Sequence, residues 1–274
     1  MARYLIFIPV YNEENNILYF LKNLINFIDF KMDNVLIIDD NSSDNTKFIL
    51  NNILQQLDKL EEYNLNLKSK LTIIFNEKNL GYGSNVLKAM EYFINSDNDF
   101  FITIDSDFQH LVTYISIFKS LSIKYNFITG SRYSKYSLKI SEYNYFRYLI
   151  NRKMLEFLNF YFRKYKYKIT DFFCGFRLYS KDIIQKIFNN LKEKEKKLNG
   201  FSYEFPIFLW IELLKLNDLK LVEVPIPYIT FFERNFKGSK SAELNNHYQR
   251  IKKYIDIFIA EIGRGEEFVK RMEN

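Results

Sequence analysis

The sequence is poor in the residues on which several protein classes depend, with one cysteine, two histidines, four prolines and eight glycines in 274 residues. The single Cys174 excludes an intrachain disulfide and fits a reducing compartment. No apolar run approaches the roughly 18 residues of a membrane-spanning helix. The nearest candidate, 205–211, is bracketed by Glu204 and Glu212. The opening segment meets two adjacent acids after a short apolar run, unlike a signal peptide. We therefore expect a cytoplasmic protein that is soluble or peripheral to a membrane.

Apolar and aromatic residues make up 47% and 18% of the chain, which is ample for a sizeable core. A length of 274 residues suits one large domain, or one domain with an appendage. The formal net charge of +6 permits contact with phosphates, nucleotides, nucleic acid or anionic lipid, and it selects none of them. Composition therefore excludes a disordered chain and leaves the function open.

The first half of the chain alternates short apolar runs with stretches of helical spacing. This pattern predicts strands at 3–10, 34–40, 70–77, 99–105 and 125–132, with helices at 13–28, 42–57 and 81–94. Such alternation predicts an α/β fold with a mostly parallel sheet and helices on both faces. Ligands of these sheets bind at the carboxyl ends of the strands, so polar residues there are the candidates for a site.

The second half has a different pattern. It predicts a long aromatic helix at 143–165, a turn-rich insert at 170–180, a helix at 203–216 and an edge strand at 219–229. After it, apolar residues recur at three- and four-residue spacing, opposite a row of Lys and Arg. We expect one domain at 1–243 and an amphipathic helix at 244–274. That helix either packs on the domain, lies on a membrane surface or docks a partner.

Two aspartates flank one serine directly after the fourth predicted strand, in the stretch IDSDFQH (104–110). Residues i and i+2 of a strand share a face, so the carboxylates of Asp105 and Asp107 should point the same way and repel each other. A divalent cation between them would relieve this repulsion, and oxygen-only ligands suit Mg²⁺ or Mn²⁺. One alternative stays open, because acids also end strands as turn residues or caps.

Other strand ends carry polar clusters as well. The stretches PVYNEENNI (9–17) and IIDDNSSDNT (37–46) combine acids with helix-capping residues. A carboxylate there can accept two hydrogen bonds from hydroxyls or a ring N–H. The stretch NLGYGSN (79–85) places glycines ahead of a helix N-terminus, where the backbone can closely approach an anion. It is neither a P-loop nor a dinucleotide-binding fingerprint.

These motifs, together with TGSRY (129–133), stand in the order and rough spacing of family 2 glycosyltransferases, which have the GT-A fold. The second half sharpens the resemblance. The stretches DFFCGFRLYS (171–180), LVEVPIPY (221–228) and RNFKGSK (234–240) resemble the dolichol- or polyprenol-phosphate mannosyltransferase branch. The resemblance covers residues 3–241 of the chain.

The resemblance implies a role for each residue that matches a family motif. It implies a nucleotide-sugar pocket lined by Pro9, Tyr11, Glu13, Asp40 and Asp105. It implies a metal site formed by Asp105, Asp107 and Gln109. It implies an acceptor-phosphate site formed by Arg132, Arg147 and Asn151. The catalytic residues it implies are Asp107, Arg132, Arg234 and Lys240, the last two on a mobile loop that closes over the diphosphate.

The sequence departs from the family pattern in several places. Leu111 and Val112 follow the Gln-His pair where the family often has prolines, and Cys174 stands where serine is common. Gly238 falls one place late in the Arg–Ser–Lys loop, and no transmembrane hairpin follows the matched region. These departures leave the metal and nucleotide assignments intact, and they leave the donor and the acceptor length open.

The activity implied by the resemblance is an inverting, metal-dependent transfer of mannose from GDP-mannose to a dolichyl or polyprenyl monophosphate. It implies a peripheral location at the cytosolic face of a membrane, reached directly or through a membrane-anchored partner. An anionic acceptor needs no strong general base, which agrees with the presence of only two histidines, His110 and His247.

Three alternatives remain open from the sequence. The first is a UDP-sugar-dependent polyprenol-phosphate glycosyltransferase. The second is a capsule or lipopolysaccharide transferase that acts on a sugar hydroxyl. The third is a non-enzymatic module that binds nucleic acid or lipid through basic charge and aromatic residues. The acidic stretch at 105–107 opposes nucleic-acid binding, because carboxylates repel phosphate unless a cation intervenes.

Overall fold

The computed structural model describes residues 2–61, 68–141, 145–161 and 169–229, together with 252–253, 256–257 and 260. The strands of the described part are β1 (Tyr4–Val10), β2 (Asp33–Asp39), β3 (Leu71–Phe75), β4 (Phe100–Thr103), β5 (Phe127–Ser131), β6 (Arg177–Ser180) and β7 (Leu221–Pro225). Its α-helices are α1 (Ile17–Leu24), α2 (Thr46–Glu61), α3 (Tyr82–Ile94), α4 (Tyr114–Leu121), α5 (Tyr145–Tyr161), α6 (Lys181–Leu198) and α7 (Phe205–Leu214). Short 3₁₀ turns cover Ile25–Phe27 and Lys68–Lys70.

All of these strands join one sheet in the order β3-β2-β1-β4-β6-β5-β7. Strand β6 runs antiparallel to both of its neighbours, and the other pairs are parallel. The chain builds outward from β1 through β2 to β3, and then returns to place β4 on the other side of β1. This reversal opens a crevice at the carboxyl ends of β1 and β4, which is where sheets of this kind bind ligands.

The alternation of side chains along β1 divides the core into two halves. Leu5 and Phe7 face one side of the sheet, where they belong to a cluster with residues of α3, α5, α6 and α7. Ile6 and Ile8 face the other side, in a cluster with residues of α1, α2 and α4. Because both faces of the central strands are buried, these strands appear in the sequence as continuous apolar runs.

The structure confirms the predicted α/β fold with a mostly parallel sheet and helices on both faces. The predicted strand at 219–229 is also confirmed as an edge strand, since β7 ends the sheet order. The reading of 170–180 as a turn-rich insert was incomplete, because its last residues form β6. The predicted strand at 99–105 was too long: β4 ends at Thr103, and Asp105 and Asp107 lie in the turn that follows.

The predicted boundary at residue 243 lies outside the described residues, as does most of the predicted tail helix. Its described positions are helical, and Ile257 packs against the α3, α6 and α7 side of the core. Lys253 Nζ lies 3.7 Å from Glu204 Oε1. None of the helices in the described ranges has both the length and the apolar character needed to span a bilayer.

Candidate active site

The loops that follow β1 and β2 are tied together by hydrogen bonds. The Asn12 backbone N–H donates to Ser42 Oγ at 2.9 Å, and the Glu13 N–H donates to Thr46 Oγ1 at 2.9 Å. Glu13 Oε2 accepts a bond of 2.7 Å from the Asn16 amide. Tyr11 is 49% exposed and lies directly after the carboxyl end of β1. Pro9 lies within β1, two residues before this loop.

The two adjacent acids after β2 have different surroundings. The Asp40 carboxylate accepts the backbone N–H groups of Leu80 at 2.8 Å and Gly81 at 2.9 Å, and also the Asn76 amide at 2.9 Å. The glycine-containing loop ahead of α3 therefore does bind an anion, but that anion is the chain's own Asp40. Asp39 is fully buried, and its Oδ1 has no hydrogen-bond partner among the described residues.

The acidic turn after β4 holds Asp105 and Asp107 at half-exposed positions. Asp107 Oδ1 accepts the Gln109 backbone N–H at 3.0 Å, which closes the turn. Phe108 adopts φ of 60°, a left-handed conformation that is uncommon outside glycine, and its ring packs edge-on against Phe20 at 5.8 Å between centroids. The two carboxylates are thus presented by a turn and not by one face of a strand.

This turn fits a divalent cation in the number and chemistry of its ligands. The side chains of Asp105 and Asp107 supply carboxylate oxygens, which suit Mg²⁺ or Mn²⁺. In the part of the chain that the structure describes, no three His, Cys, Asp or Glu side chains are arranged to hold a metal. The donor set therefore suits an ion that takes two carboxylates from the protein and completes its shell from a diphosphate and water.

A buried histidine lies directly behind the acidic turn. His110 Nδ1 is 3.5 Å from Asp105 Oδ2, and its Nε2 is 3.8 Å from Cys174 Sγ. Burial, together with the positive charge of Arg132, lowers the pKa of His110 to about 4. The ring is therefore neutral near pH 7, and its contact with Asp105 is not an ion pair. Burial also raises the pKa of the Cys174 thiol to about 12, so this cysteine is an inert core residue.

Gly175 allows the segment before β6 to approach the acidic turn closely. A Cβ atom at this position would lie 2.7 Å from Asp105 Oδ2 and 3.1 Å from Tyr82 Oη. The Gly175 carbonyl accepts the Thr103 hydroxyl at 2.5 Å, which fixes the segment to the end of β4. Gly175 therefore leaves just enough room for the Asp105 carboxylate, a constraint that the sequence did not reveal.

The Gly175→Ala substitution should displace the Asp105 carboxylate and lower turnover by roughly 10²-fold, because small displacements of reacting groups have effects of this size. The fold should survive, since φ at Gly175 lies outside the left-handed region. Turnover and Mn²⁺ affinity, measured with the melting temperature, test this. Gly130→Ala is the matched control, because its Cβ would be similarly crowded, by Ile226 Cδ1 at 2.8 Å and Cys174 Sγ at 3.0 Å, but not by Asp105. Its Mn²⁺ affinity should match that of the wild type. Unchanged Mn²⁺ affinity in Gly175→Ala would contradict the expectation.

Arg132, at the end of β5, forms a bidentate ion pair with Asp171. Its Nε donates to Asp171 Oδ2 at 2.7 Å and its Nη2 to Oδ1 at 3.0 Å, while the backbone N–H of Arg132 donates to Oδ2 at 3.0 Å. Burial alone would raise the pKa of Asp171, but the charge and hydrogen bonds of Arg132 outweigh it and hold the pKa below its usual value. The Nε and Nη2 atoms of Arg132 are therefore already bonded to Asp171 within the protein.

Two further residues hold the segment that carries Asp171. The Asn151 amide donates to the Thr170 carbonyl at 3.0 Å and accepts the Phe172 N–H at 2.8 Å. The Glu223 carboxylate accepts the Thr170 hydroxyl at 2.7 Å and the Asp171 N–H at 3.1 Å. Asn151 is buried, so in this structure it supports the loop and does not face solvent. Asp171 and Glu223 lie within the motifs DFFCGFRLYS and LVEVPIPY, but no role in the site was predicted for either residue.

Arg177 is a buried cation in the core. It is 1% exposed, its Nη2 donates to the Phe172 carbonyl at 3.1 Å, and its guanidinium lies 5.9 Å from the centre of the Trp210 ring. Its Nε has no hydrogen-bond partner in the described part of the chain. The motif DFFCGFRLYS therefore places its arginine in the core, at the start of β6, and not at the surface.

The remaining predicted site residues are placed as follows. Arg147 is exposed near the start of α5. Arg234 and Lys240 lie outside the described residues. The topology brings the loops after β1, β2 and β4 to one edge of the sheet, with Arg132 farther along that edge at the end of β5.

The sequence matches the Glycosyl transferase family 2 profile over residues 5–188. It is 29% identical over 230 residues to the UDP-N-acetylglucosamine–dolichyl-phosphate N-acetylglucosaminyltransferase of Methanococcus voltae, an alignment that covers 81% of this chain and 84% of that protein. It is also 35% identical over 104 residues to an uncharacterized protein of Methanocaldococcus jannaschii, covering 38% of this chain and only 39% of that protein.

Solved structures share the fold at low sequence identity. Glucosyl-3-phosphoglycerate synthase from Mycobacterium tuberculosis, in complex with Mn²⁺, UDP and glucosyl-3-phosphoglycerate, superimposes with a TM-score of 0.62 at 13% identity. The match covers 96% of this chain and 80% of the synthase. The same synthase bound to UDP alone gives a TM-score of 0.63.

Proposed function

This chain belongs to glycosyl transferase family 2, and we propose that it transfers a sugar from a nucleotide-sugar to a dolichyl or polyprenyl monophosphate. The observation that carries the proposal is the acidic turn of Asp105 and Asp107 at the crevice between β1 and β4. The loop of Tyr11 and Glu13 begins on the β1 side of this crevice. A nucleoside diphosphate fits this arrangement with its base beside Tyr11 and its diphosphate towards the acidic turn.

Each site residue has a role in this proposal. Pro9, Tyr11 and Glu13 line the base and ribose pocket, and Asp40 contributes by fixing the loop of Gly81 through its hydrogen bonds. Asp105 and Asp107 hold a divalent ion, with Gln109 as a further ligand. When bound, that ion supplies positive charge against the diphosphate as it leaves the sugar.

The transfer itself needs no proton to be removed from the acceptor. An oxygen of the acceptor phosphate forms a bond to the anomeric carbon as the bond to the diphosphate breaks, and the nucleoside diphosphate leaves. The acceptor is already anionic near pH 7, so a general base is dispensable. This agrees with His110, whose pKa of about 4 makes it a weak base. Positive charge for the acceptor phosphate comes from Arg132 and Arg147. Positive charge for the departing diphosphate comes from Arg234 and Lys240.

The relative from M. voltae supports a specific donor and acceptor. Its name states transfer from UDP-N-acetylglucosamine to dolichyl phosphate, and the alignment spans most of both chains. We therefore put UDP-N-acetylglucosamine first among the donors, ahead of the GDP-mannose implied by the sequence motifs. The acceptor class is the same for both donors.

A transfer assay with the purified protein tests the reaction, the donor and the metal requirement together. Radiolabelled UDP-N-acetylglucosamine, UDP-glucose and GDP-mannose are each incubated with a polyprenyl monophosphate, in the presence of Mn²⁺ or of EDTA. We expect label from UDP-N-acetylglucosamine to enter the organic phase only when Mn²⁺ is present. The same incubation without the lipid is the control for hydrolysis of the donor.

The outcomes separate the competing hypotheses. Label from GDP-mannose alone would restore mannose as the transferred sugar. Metal-dependent nucleotide binding without a lipid product from any donor would contradict the lipid acceptor and favour a sugar-hydroxyl acceptor.

A further inference from the structure

The segment from Tyr136 to Ile140 exposes a strip of large apolar side chains. Tyr136 is 72% exposed, Leu138 is 68% exposed and Ile140 is 61% exposed. Leu138 and Ile140 flank Lys139, which forms an isolated bridge with Tyr228, and Tyr136 lies in the turn just before them. Three large apolar side chains that are exposed this close together in the chain mark a surface that contacts something other than water.

The backbone of the strip is anchored to the sheet. The Tyr228 N–H donates to the Leu138 carbonyl at 2.8 Å, and the Ile140 N–H donates to the Tyr228 carbonyl at 3.1 Å. The Ser137 hydroxyl donates to the Ser131 carbonyl, at the end of β5, at 2.6 Å. The strip is therefore held in place, and its apolar side chains are presented outward by a fixed backbone.

The surroundings of the strip are strongly basic. Residues 132–153 contain six Lys or Arg residues and one acidic residue. Among them, Lys135, Lys139, Arg147 and Arg152 are exposed, whereas the exposed Lys153 is paired with Glu156 at 2.9 Å. Apolar and aromatic side chains with exposed Lys and Arg close by in the chain are typical of segments that lie in the interface of an anionic bilayer.

The strip also lies next to the proposed acceptor site. Tyr133 follows Arg132, and its ring contacts Tyr148 of α5 at 5.6 Å and Tyr228 at 5.6 Å. These contacts fix the first turns of α5, which carry Arg147, to the same part of the molecule as the strip. The exposed apolar side chains and the candidate phosphate-binding arginines thus belong to one corner of the fold.

We propose that residues 136–140, with the cations around them, dock this enzyme on an anionic membrane surface and so bring a bilayer-embedded lipid phosphate to Arg132. The role of the docked lipid rests on the proposed function, whereas the docking itself does not. A second copy of this chain is a poorer occupant. A two-fold contact through this strip would place the basic rings of both copies against each other.

Vesicle sedimentation tests the docking without any measurement of activity. The full-length protein is mixed with vesicles of phosphatidylcholine alone, or of phosphatidylcholine with phosphatidylglycerol. We expect binding to the anionic vesicles that weakens as salt is added. The variant Leu138→Ser/Ile140→Ser should bind them roughly tenfold more weakly, because two apolar side chains no longer enter the interface. Lys135→Glu should weaken binding by a similar factor.

Matched control variants exist at the opposite end of the strands. Ile123 is 87% exposed and Lys124 is exposed, and both lie just after α4. Ile123→Ser and Lys124→Glu should bind vesicles as the wild type does. Equal binding by the wild type and Leu138→Ser/Ile140→Ser would overturn the proposal. It would also be overturned if the wild type formed a dimer in solution that this double variant abolished.

Activity assays separate this proposal from the function on which it depends. With a short-chain prenyl phosphate dispersed in detergent, Leu138→Ser/Ile140→Ser should turn over as fast as the wild type. With the acceptor embedded in anionic vesicles, it should be roughly tenfold slower. Strip-dependent vesicle binding without transfer to either acceptor would sustain the docking surface and overturn the lipid-phosphate function. Transfer to both acceptors at wild-type rates would overturn the docking surface alone.

Discussion

The Asp107→Asn variant is expected to lose sugar transfer by roughly 10³-fold while it keeps the melting temperature of the wild type. Asp107 Oδ1 accepts the Gln109 backbone N–H at 3.0 Å, and the asparagine oxygen can still accept this bond. The substitution therefore removes one negative charge from the proposed metal site without opening the turn. Asp107→Ala removes the acceptor as well, so it should also lower the free energy of unfolding by about 1 kcal/mol.

Two measurements and one control make this prediction decisive. Turnover is compared with Mn²⁺ affinity in the presence of UDP, and both should fall together. Asp97→Asn is the control, because the Asp97 side chain is 96% exposed and lies ahead of the amino end of β4. It should match the wild type in both measurements. Wild-type Mn²⁺ affinity in Asp107→Asn would remove this residue from the metal site.

Most of the sheet could be predicted from the sequence because its central strands are buried on both faces. Their apolar runs are continuous, and helical spacing separates them clearly. Strand β6 could not be predicted in the same way. It begins with Arg177, a charged residue whose burial depends on the Phe172 carbonyl and the Trp210 ring, and neither contact leaves a local pattern.

The candidate site shows the same division between local and tertiary information. The motifs that contain Tyr11, Asp105 and Asp107 could be found because parallel strands bring their carboxyl ends to one edge. The direction in which each side chain points could not be predicted from the sequence. Asp40 turns to the loop of Gly81 because adjacent residues at a strand end face opposite sides of the sheet, and α3 packs on its side.

Arg132 shows how a correctly located residue can have an unexpected partner. The sequence motif TGSRY placed it at the end of a strand, and the resemblance to the family implied a phosphate contact. Its partner Asp171 lies 39 residues away, where nothing in the local sequence connects the two. Removing Arg132 therefore has two consequences, one for the fold and one for the acceptor, and a single variant cannot separate them.

We expect Arg132→Ala to lower the free energy of unfolding by about 3–5 kcal/mol, because it leaves the fully buried Asp171 carboxylate without its counter-charge. Asp171→Asn should also destabilise the protein, since it leaves the mostly buried Arg132 guanidinium without a negative partner. The double variant Arg132→Ala/Asp171→Asn removes both charges and should recover part of the loss. Chemical denaturation of the three variants and the wild type completes this cycle.

The kinetics of the same variants then isolate the part that Arg132 plays towards the acceptor. Arg132→Ala should raise the KM for the lipid phosphate roughly tenfold and leave the KM for the nucleotide-sugar nearly unchanged, because a charged hydrogen-bond donor is lost. Asp171→Asn retains the guanidinium, so its acceptor KM should rise much less although its fold is also weakened. Equal increases in the two variants would mean that Arg132 acts on the acceptor only by holding the 170–172 segment in place. A larger increase in Arg132→Ala at comparable stability requires direct contact between the guanidinium and the phosphate.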